Sequence, residues 1–246
     1  MTLVVEPKLT KRQRRLAAKG QQQEQQQRGL YLSNIAPITD NQDKAFSAFA
    51  LDKNLLLHGS AGTGKTFLSL YLALMEVLNG HGDYEKVYIV RSVVPTRDMG
   101  FLPGSAKDKS KVYEAPYYSI CTELFNRGDA YDILKTKNVV EFMTTSFIRG
   151  VTLNNCVVIV DEMQNMTFQE LDSVLTRIGE NCKIIFSGDF KQSDLLRESE
   201  RRGILDFIRI LSRINSFEHI EFTREDIVRS RLVKEYIIAK EELHIT

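Results

Sequence analysis

Four side chains have the types and spacing to handle a polyphosphate: Lys65, Thr66, Asp161 and Glu162. Lys65 and Thr66 close the run Gly59-Ser60-Ala61-Gly62-Thr63-Gly64-Lys65-Thr66, which fits the pattern G-x-x-x-x-G-K-[ST] of a phosphate-cradling loop. Glycines in such a loop let backbone N–H groups turn toward an anion with no Cβ in the way. The Lys65 ammonium would reach the β- and γ-phosphates of ATP, and the Thr66 hydroxyl would bind Mg²⁺. Asp161 and Glu162 emerge from the run Cys156-Val157-Val158-Ile159-Val160. There Asp161 would hold Mg²⁺, directly or through water, and Glu162 would orient and deprotonate an attacking water. Two adjacent carboxylates leaving a buried strand are costly unless a metal or ligand compensates them. The plainer alternatives are a glycine-rich turn before a helix and an N-cap pair after a strand.

These residues need elements to hold them. Asn54–His58 reads as a short buried strand, and Phe67 to Leu78 as a helix apolar on nearly every face. The phosphate pattern therefore sits between a strand and a helix, as it must. Residues 156–160 are a continuous β-branched run, the mark of a central parallel strand buried on both faces. Further strands are expected at 87–90, 139–143, 183–186 and 219–222. Helices are expected at 41–50, 120–134, 168–178, 204–214 and from about Thr223 to Glu242. The alternation implies an α/β fold with a mostly parallel sheet and helices on both faces. The chemistry requires the tips of strands 54–58 and 156–160 to lie side by side. Asp189 and Gln192, at the tip of the strand expected beside the acidic one, are candidates to touch the γ-phosphate. A Gly-Asp turn is the simpler reading of those two.

Composition narrows the partners. The 246 residues carry a net charge of +1, so any nucleic-acid contact must come from a local patch. Residues 1–30 form one such patch: Lys8, Lys11, Arg12, Arg14, Arg15, Lys19 and Arg28 stand among glutamines, as in a flexible arm. The globular part is expected to span 31–246. Residues 105–118 read as an exposed polar loop in which Lys107, Lys109 and Lys111 interleave with Tyr113, Tyr117 and Tyr118, a mixture suited to single-stranded nucleic acid. The three cysteines and four histidines are scattered and suggest neither a disulfide framework nor a metal cluster. No apolar run has the length of a membrane span, and no signal peptide is visible, so a cytoplasmic location is expected.

Six stretches together resemble the PhoH-like family, P-loop ATPases related to the first motor domain of superfamily 1 helicases. They are GSAGTGKT at 59–66, GFLPGS at 100–105, FIRGVT at 147–152, VDEMQN at 160–165, SGDFKQSDL at 187–195 and DIVRSRLV at 226–233. The resemblance implies a RecA-like fold, ATP and Mg²⁺ as ligands, RNA or single-stranded DNA as partner, and a homo-oligomeric ring of six chains. By the same resemblance Gln42 would contact adenine, Gln192 the γ-phosphate, and Arg229 the transition-state charge of a neighbouring chain's site, with Arg224, Arg149 and Arg97 as rivals. A chain this short would be a phage-encoded, single-domain form. It departs from the family at Met163, where a small residue is usual, and at 91–97, which lacks an acidic stretch after Pro95. Alternatives are a helicase proper, a nucleotide-switched nucleic-acid-binding module that does not hydrolyse, and a small-molecule kinase.

Overall fold

The structure, a computed structural model, describes residues 29–79, 84–92, 106–189 and 198–243, with backbone only at 106–111 and 198–201. Helix α1 (Asp40–Ala50) starts at Thr39, whose hydroxyl accepts from the Gln42 N–H. Strand β1 (Asn54–Gly59) leads through the phosphate loop into α2 (Lys65–Leu78). Then follow β2 (Lys86–Arg91), α3 (Ala106–Phe125), α4 (Ala130–Thr136), β3 (Val140–Thr144) and β4 (Cys156–Val160). A 3-10 turn (Met163–Asn165), α5 (Phe168–Leu175), β5 (Cys182–Gly188), α6 (Glu198–Leu211) and β6 (Phe217–Phe222) come next. A second 3-10 turn (Arg224–Asp226) precedes the last helix, α7 (Arg231–Glu242).

The six strands form one sheet in the order β3-β2-β4-β5-β1-β6, and every pairing is parallel. All six strand ends therefore face one edge, where an open α/β sheet carries its functional loops. Alternate residues supply two cores. Leu55, Leu57, Val157 and Ile159 pack with α1–α4 on one face, and Leu56, Val158, Val160 and Phe186 with α5 and α6 on the other. Each of the five residues of β4 is buried, which explains its unbroken apolar run. The fold is α/β and RecA-like, with the loop-bearing and acidic strands separated by one strand.

That separation corrects one expectation. The tips of β1 and β4 do not adjoin, because β5 pairs with both. Helix α2 closes the gap by packing across β5 onto β4, so its first turn faces the tip of β4. Three expectations about helices also shift. The stretch read as a polar loop at 105–118 begins a helix, and the expected 120–134 helix is split at 126–129. Buried Tyr117, Cys121, Leu124 and Phe125 recur at i, i+4, i+7 and i+8 on α3, a stripe that outweighs the exposed polar positions and Pro116. Asn126 then takes a left-handed φ of 48° and stops the helix. The last helix starts at Arg231 rather than Thr223, because the Thr223 hydroxyl and Asp226 carboxylate cap a tight turn instead.

Gly59 fixes the entry to the phosphate loop. Its φ is +116°, and a Cβ there would lie 2.0 Å from the Phe222 carbonyl oxygen, which accepts from the Ser60 N–H at 2.9 Å. Gly59→Ala is expected to cost about 3 kcal/mol or more of folding free energy, because strain and a backbone clash coincide. Urea unfolding checks this: a wild-type midpoint would contradict it.

Candidate functional site

The loop between β1 and α2 is built around its own lysine. The Lys65 ammonium donates to the carbonyls of Gly59 at 2.9 Å and Ser60 at 2.7 Å, and lies 3.4 Å from the Thr63 hydroxyl. Gly62 and Gly64 hold left-handed φ values of 72° and 83°, which turn the loop inward. No side chain caps the start of α2 at Gly64. The first amides of α2 thus keep their hydrogen-bonding capacity for an anion, and the helix dipole adds positive potential there.

Across the cleft, Thr66 Oγ1 donates to Asp161 Oδ1 at 2.9 Å. The Tyr117 phenol donates to Asp161 Oδ2 at 2.8 Å. Asp161 is only 2% exposed. Burial raises its carboxyl above the usual range and Glu162 adds to the rise, while Arg91, Tyr117 and Thr66 oppose it. Burial lowers the Lys65 ammonium, against Asp189, Glu162 and Asp161, which all raise it. A cation and three carboxylates therefore share one pocket edge.

Glu162 has φ 53° and ψ 42°, a left-handed conformation rare for a non-glycine residue. That kink turns the chain off the strand so that Asp161 and Glu162 both line the cleft. The Glu162 carboxylate accepts from the Gln164 side-chain amide. The other end of that amide, Gln164 Oε1, accepts from the Asp189 N–H at 3.0 Å. Gln164 thereby ties the expected base to the tip of β5. A Cβ on Gly188 would come within 2.6 Å of Gln164 Oε1 and 2.8 Å of Met163 Cγ, so this tie needs glycine there. Met163 itself is fully buried in the second core, where its extra bulk is absorbed by packing.

The cleft is an open cavity of about 730 Å³. Lys65, Thr66, Asp161, Glu162, Gln42 and Arg229 all line it, so most of the expected site residues converge. Gln42 is already bonded within the chain: its Oε1 accepts from the Ile38 N–H at 3.0 Å and its Nε2 donates to the Thr63 carbonyl at 3.4 Å. It braces the loop as well as facing the cavity. Arg229 runs against the loop of its own chain, its Cγ 3.0 Å from where a Cβ on Gly62 would stand. Among its rivals, Arg149 is exposed, and Arg224 pairs with Glu242 at 3.4 Å. Gln192, Arg97, the 100–105 run and the basic arm lie outside the described residues.

Other site residues escaped the sequence reading. Tyr117 is buried against Asp161, which removes it from the expected base-stacking set. Arg91 lines the cleft beside the acidic pair. Glu241 of α7 accepts from the Ser60 hydroxyl of the loop at 2.7 Å. No periodicity flags a contact between α7 and a loop so far away along the chain. Tyr117 did leave a trace, in the helical stripe it shares with Cys121 and Leu124.

A family profile described as "PhoH-like protein" matches residues 34–241. The chain belongs to the PhoH-like family. Similar family members include the PhoH-like protein of Bacillus subtilis, 34% identical over 77% of this chain and 59% of that one. Another is the protein PhoH of Escherichia coli K12, 34% identical over 71% of this chain and 49% of that one. The chain thus spans about half to three-fifths of the length of these PhoH-like relatives. Among solved structures, the chain path overlaps the large terminase of the thermophilic bacteriophage D6E in complex with ADP, with TM-score 0.48 and 14% identity over 81% of this chain and 49% of that one. It also overlaps Bacteroides Pif1 bound to single-stranded DNA, with TM-score 0.41 and 14% identity over 85% and 46%. As a PhoH-like chain with the phosphate-loop pattern, this is a P-loop nucleotide-binding protein. Among the described residues, no helix is long and apolar enough to cross a membrane.

Proposed function

We propose that the cleft binds ATP with Mg²⁺ and hydrolyses it, in a protein that acts on RNA or single-stranded DNA. The observation that carries this reading is the 2.9 Å contact between Thr66 and Asp161 at the head of an uncapped helix. A hydroxyl and a carboxylate meet there, next to a buried ammonium, as a phosphate-bound hard cation requires. Thr66 and Asp161 would hold Mg²⁺, which when bound supplies charge neutralisation across the β- and γ-phosphates.

The remaining roles belong to the chain. Amides at the start of α2 bind phosphate oxygens. Lys65 leaves the Gly59 and Ser60 carbonyls for the β- and γ-oxygens. Glu162, steadied by Gln164, takes a proton from the attacking water. Gln42 braces the loop and contacts the adenine ring, and Gln192 is assigned to the γ-phosphate. Arg229 stabilises the developing charge in its own chain's site, a contribution of about 10³–10⁵ in rate for such arginines.

Assembly into a ring is part of the reading. Leu232, Tyr236 and Leu243, at i, i+4 and i+11 of the last helix and its cap, are 77%, 66% and 68% exposed. An apolar stripe this open supports burial against a second copy of the chain. Steady-state phosphate release with Mg²⁺-ATP and no added acceptor tests the hydrolase reading, with and without single-stranded RNA or DNA and with the mass of the particle measured. Multiple turnovers are expected; none under any of these conditions would rule hydrolysis out. Arg229 has its own test. Mixing Arg229→Ala chains with Glu162→Gln chains, after subunit exchange is verified by mass, is expected to restore no hydrolysis. Recovered activity would move its target to a neighbouring chain.

A further inference from the structure

Tyr117 is the side chain at this site that nothing yet described puts to use. It is 1% exposed and reaches Asp161 from the α3 side, whereas Pro116, Ser119 and Ile120 of the same helix line the cleft. Its ring packs beside Tyr131 and Phe142, at centroid separations of 6.4 and 6.0 Å. Those contacts need only a phenyl group. The hydroxyl does something else: it donates to Asp161 Oδ2 at 2.8 Å, with the Arg91 guanidinium near the same phenol. The two carboxylate oxygens of Asp161 are thereby distinguished. Oδ2 is held by a buried group from behind, and Oδ1 shares the cleft-facing side with Thr66. A carboxylate with only the Thr66 contact could rotate about its last torsion, a broad and roughly two-fold one.

We propose that Tyr117 is a positioning residue for the metal site, fixing the rotation of the Asp161 carboxylate so that Oδ1 is presented beside Thr66. The proposal rests on the reading of Thr66 and Asp161 as the magnesium-holding pair. Hydrogen bonds to charged groups are among the stronger ones, so losing this one is expected to raise the Mg²⁺ requirement about ten-fold.

The test is Tyr117→Phe in the full chain, with N-methylanthraniloyl-ADP as the fluorescent probe, titrated first in EDTA and then against Mg²⁺. Binding in EDTA is expected within two-fold of wild type, and the Mg²⁺ concentration for half-maximal enhancement is expected to rise about ten-fold. Turnover at saturating Mg²⁺ should fall less than three-fold, because mass action refills the site. In an Asp161→Asn background, Tyr117→Phe should shift nothing further. An unchanged Mg²⁺ requirement would overturn the proposal. So would an equal loss of binding in EDTA, or a full shift that persists in the Asp161→Asn background, since either marks a packing effect. Failure of the site reading looks different: wild-type chain and Asp161→Asn would then respond to Mg²⁺ alike, and the proposal would fall with it.

Discussion

Glu162→Gln is expected to bind ATP and scarcely turn it over. The substitution keeps shape and removes only the ability to accept a proton, so the loss should be that of a general base, about 10²–10⁴-fold in kcat. Gln164 makes the comparison clean. Its amide already donates to the Glu162 carboxylate, and a glutamine carbonyl at 162 can accept the same bond. The tie from residue 162 through Gln164 to the Asp189 N–H therefore survives, and a fall in rate reports chemistry rather than collapse of the loop. Single-turnover phosphate release at matched nucleotide occupancy is the measurement. A rate within three-fold of wild type would remove Glu162 as the base.

Lys65→Ala is expected to act earlier, on binding. Its ammonium is held by the Gly59 and Ser60 carbonyls at 2.9 and 2.7 Å, poised where α2 begins. It also faces three carboxylates, those of Asp161, Glu162 and Asp189. Removing it leaves triphosphate to meet that acidic edge with one cation fewer. Two charge-assisted hydrogen bonds at about 1.5–3 kcal/mol each correspond to a loss of roughly 100-fold or more in ATP affinity. Hydrolysis should vanish with it. Equilibrium binding of ATP and phosphate release are both informative; near-wild-type affinity would place the triphosphate elsewhere.

Much of this site was legible before any fold was known, because its parts are local. The glycine spacing, the flanking strand and helix, and the buried run ending in Asp161-Glu162 each depend on residues adjacent in the chain. Strand positions followed from the same short-range signals, to within a residue or two at most ends. What stayed hidden depends on distance. The order of the sheet, with β5 between β1 and β4, is set by packing that no single segment records. The contacts of Tyr117 with Asp161, Gln164 with Asp189 and Glu241 with Ser60 span 44, 25 and 181 residues. Helix α3 was hidden for another reason: lysines make its start look like a loop and Pro116 interrupts it, while the buried stripe of Tyr117, Cys121, Leu124 and Phe125 comes only after that proline. Arg229 was noticed by its motif, yet only the fold shows it against its own chain's Gly62.

The most direct test of the account is a structure of the full chain with Mg²⁺ and a non-hydrolysable ATP analogue. The account predicts the triphosphate on the 59–66 loop, the Lys65 ammonium on its γ-phosphate, and the metal about 2.0–2.1 Å from Thr66 Oγ1, with Asp161 bound directly or through one water. A nucleotide bound away from this loop, or a metal that touches neither Thr66 nor the shell of Asp161, would contradict it.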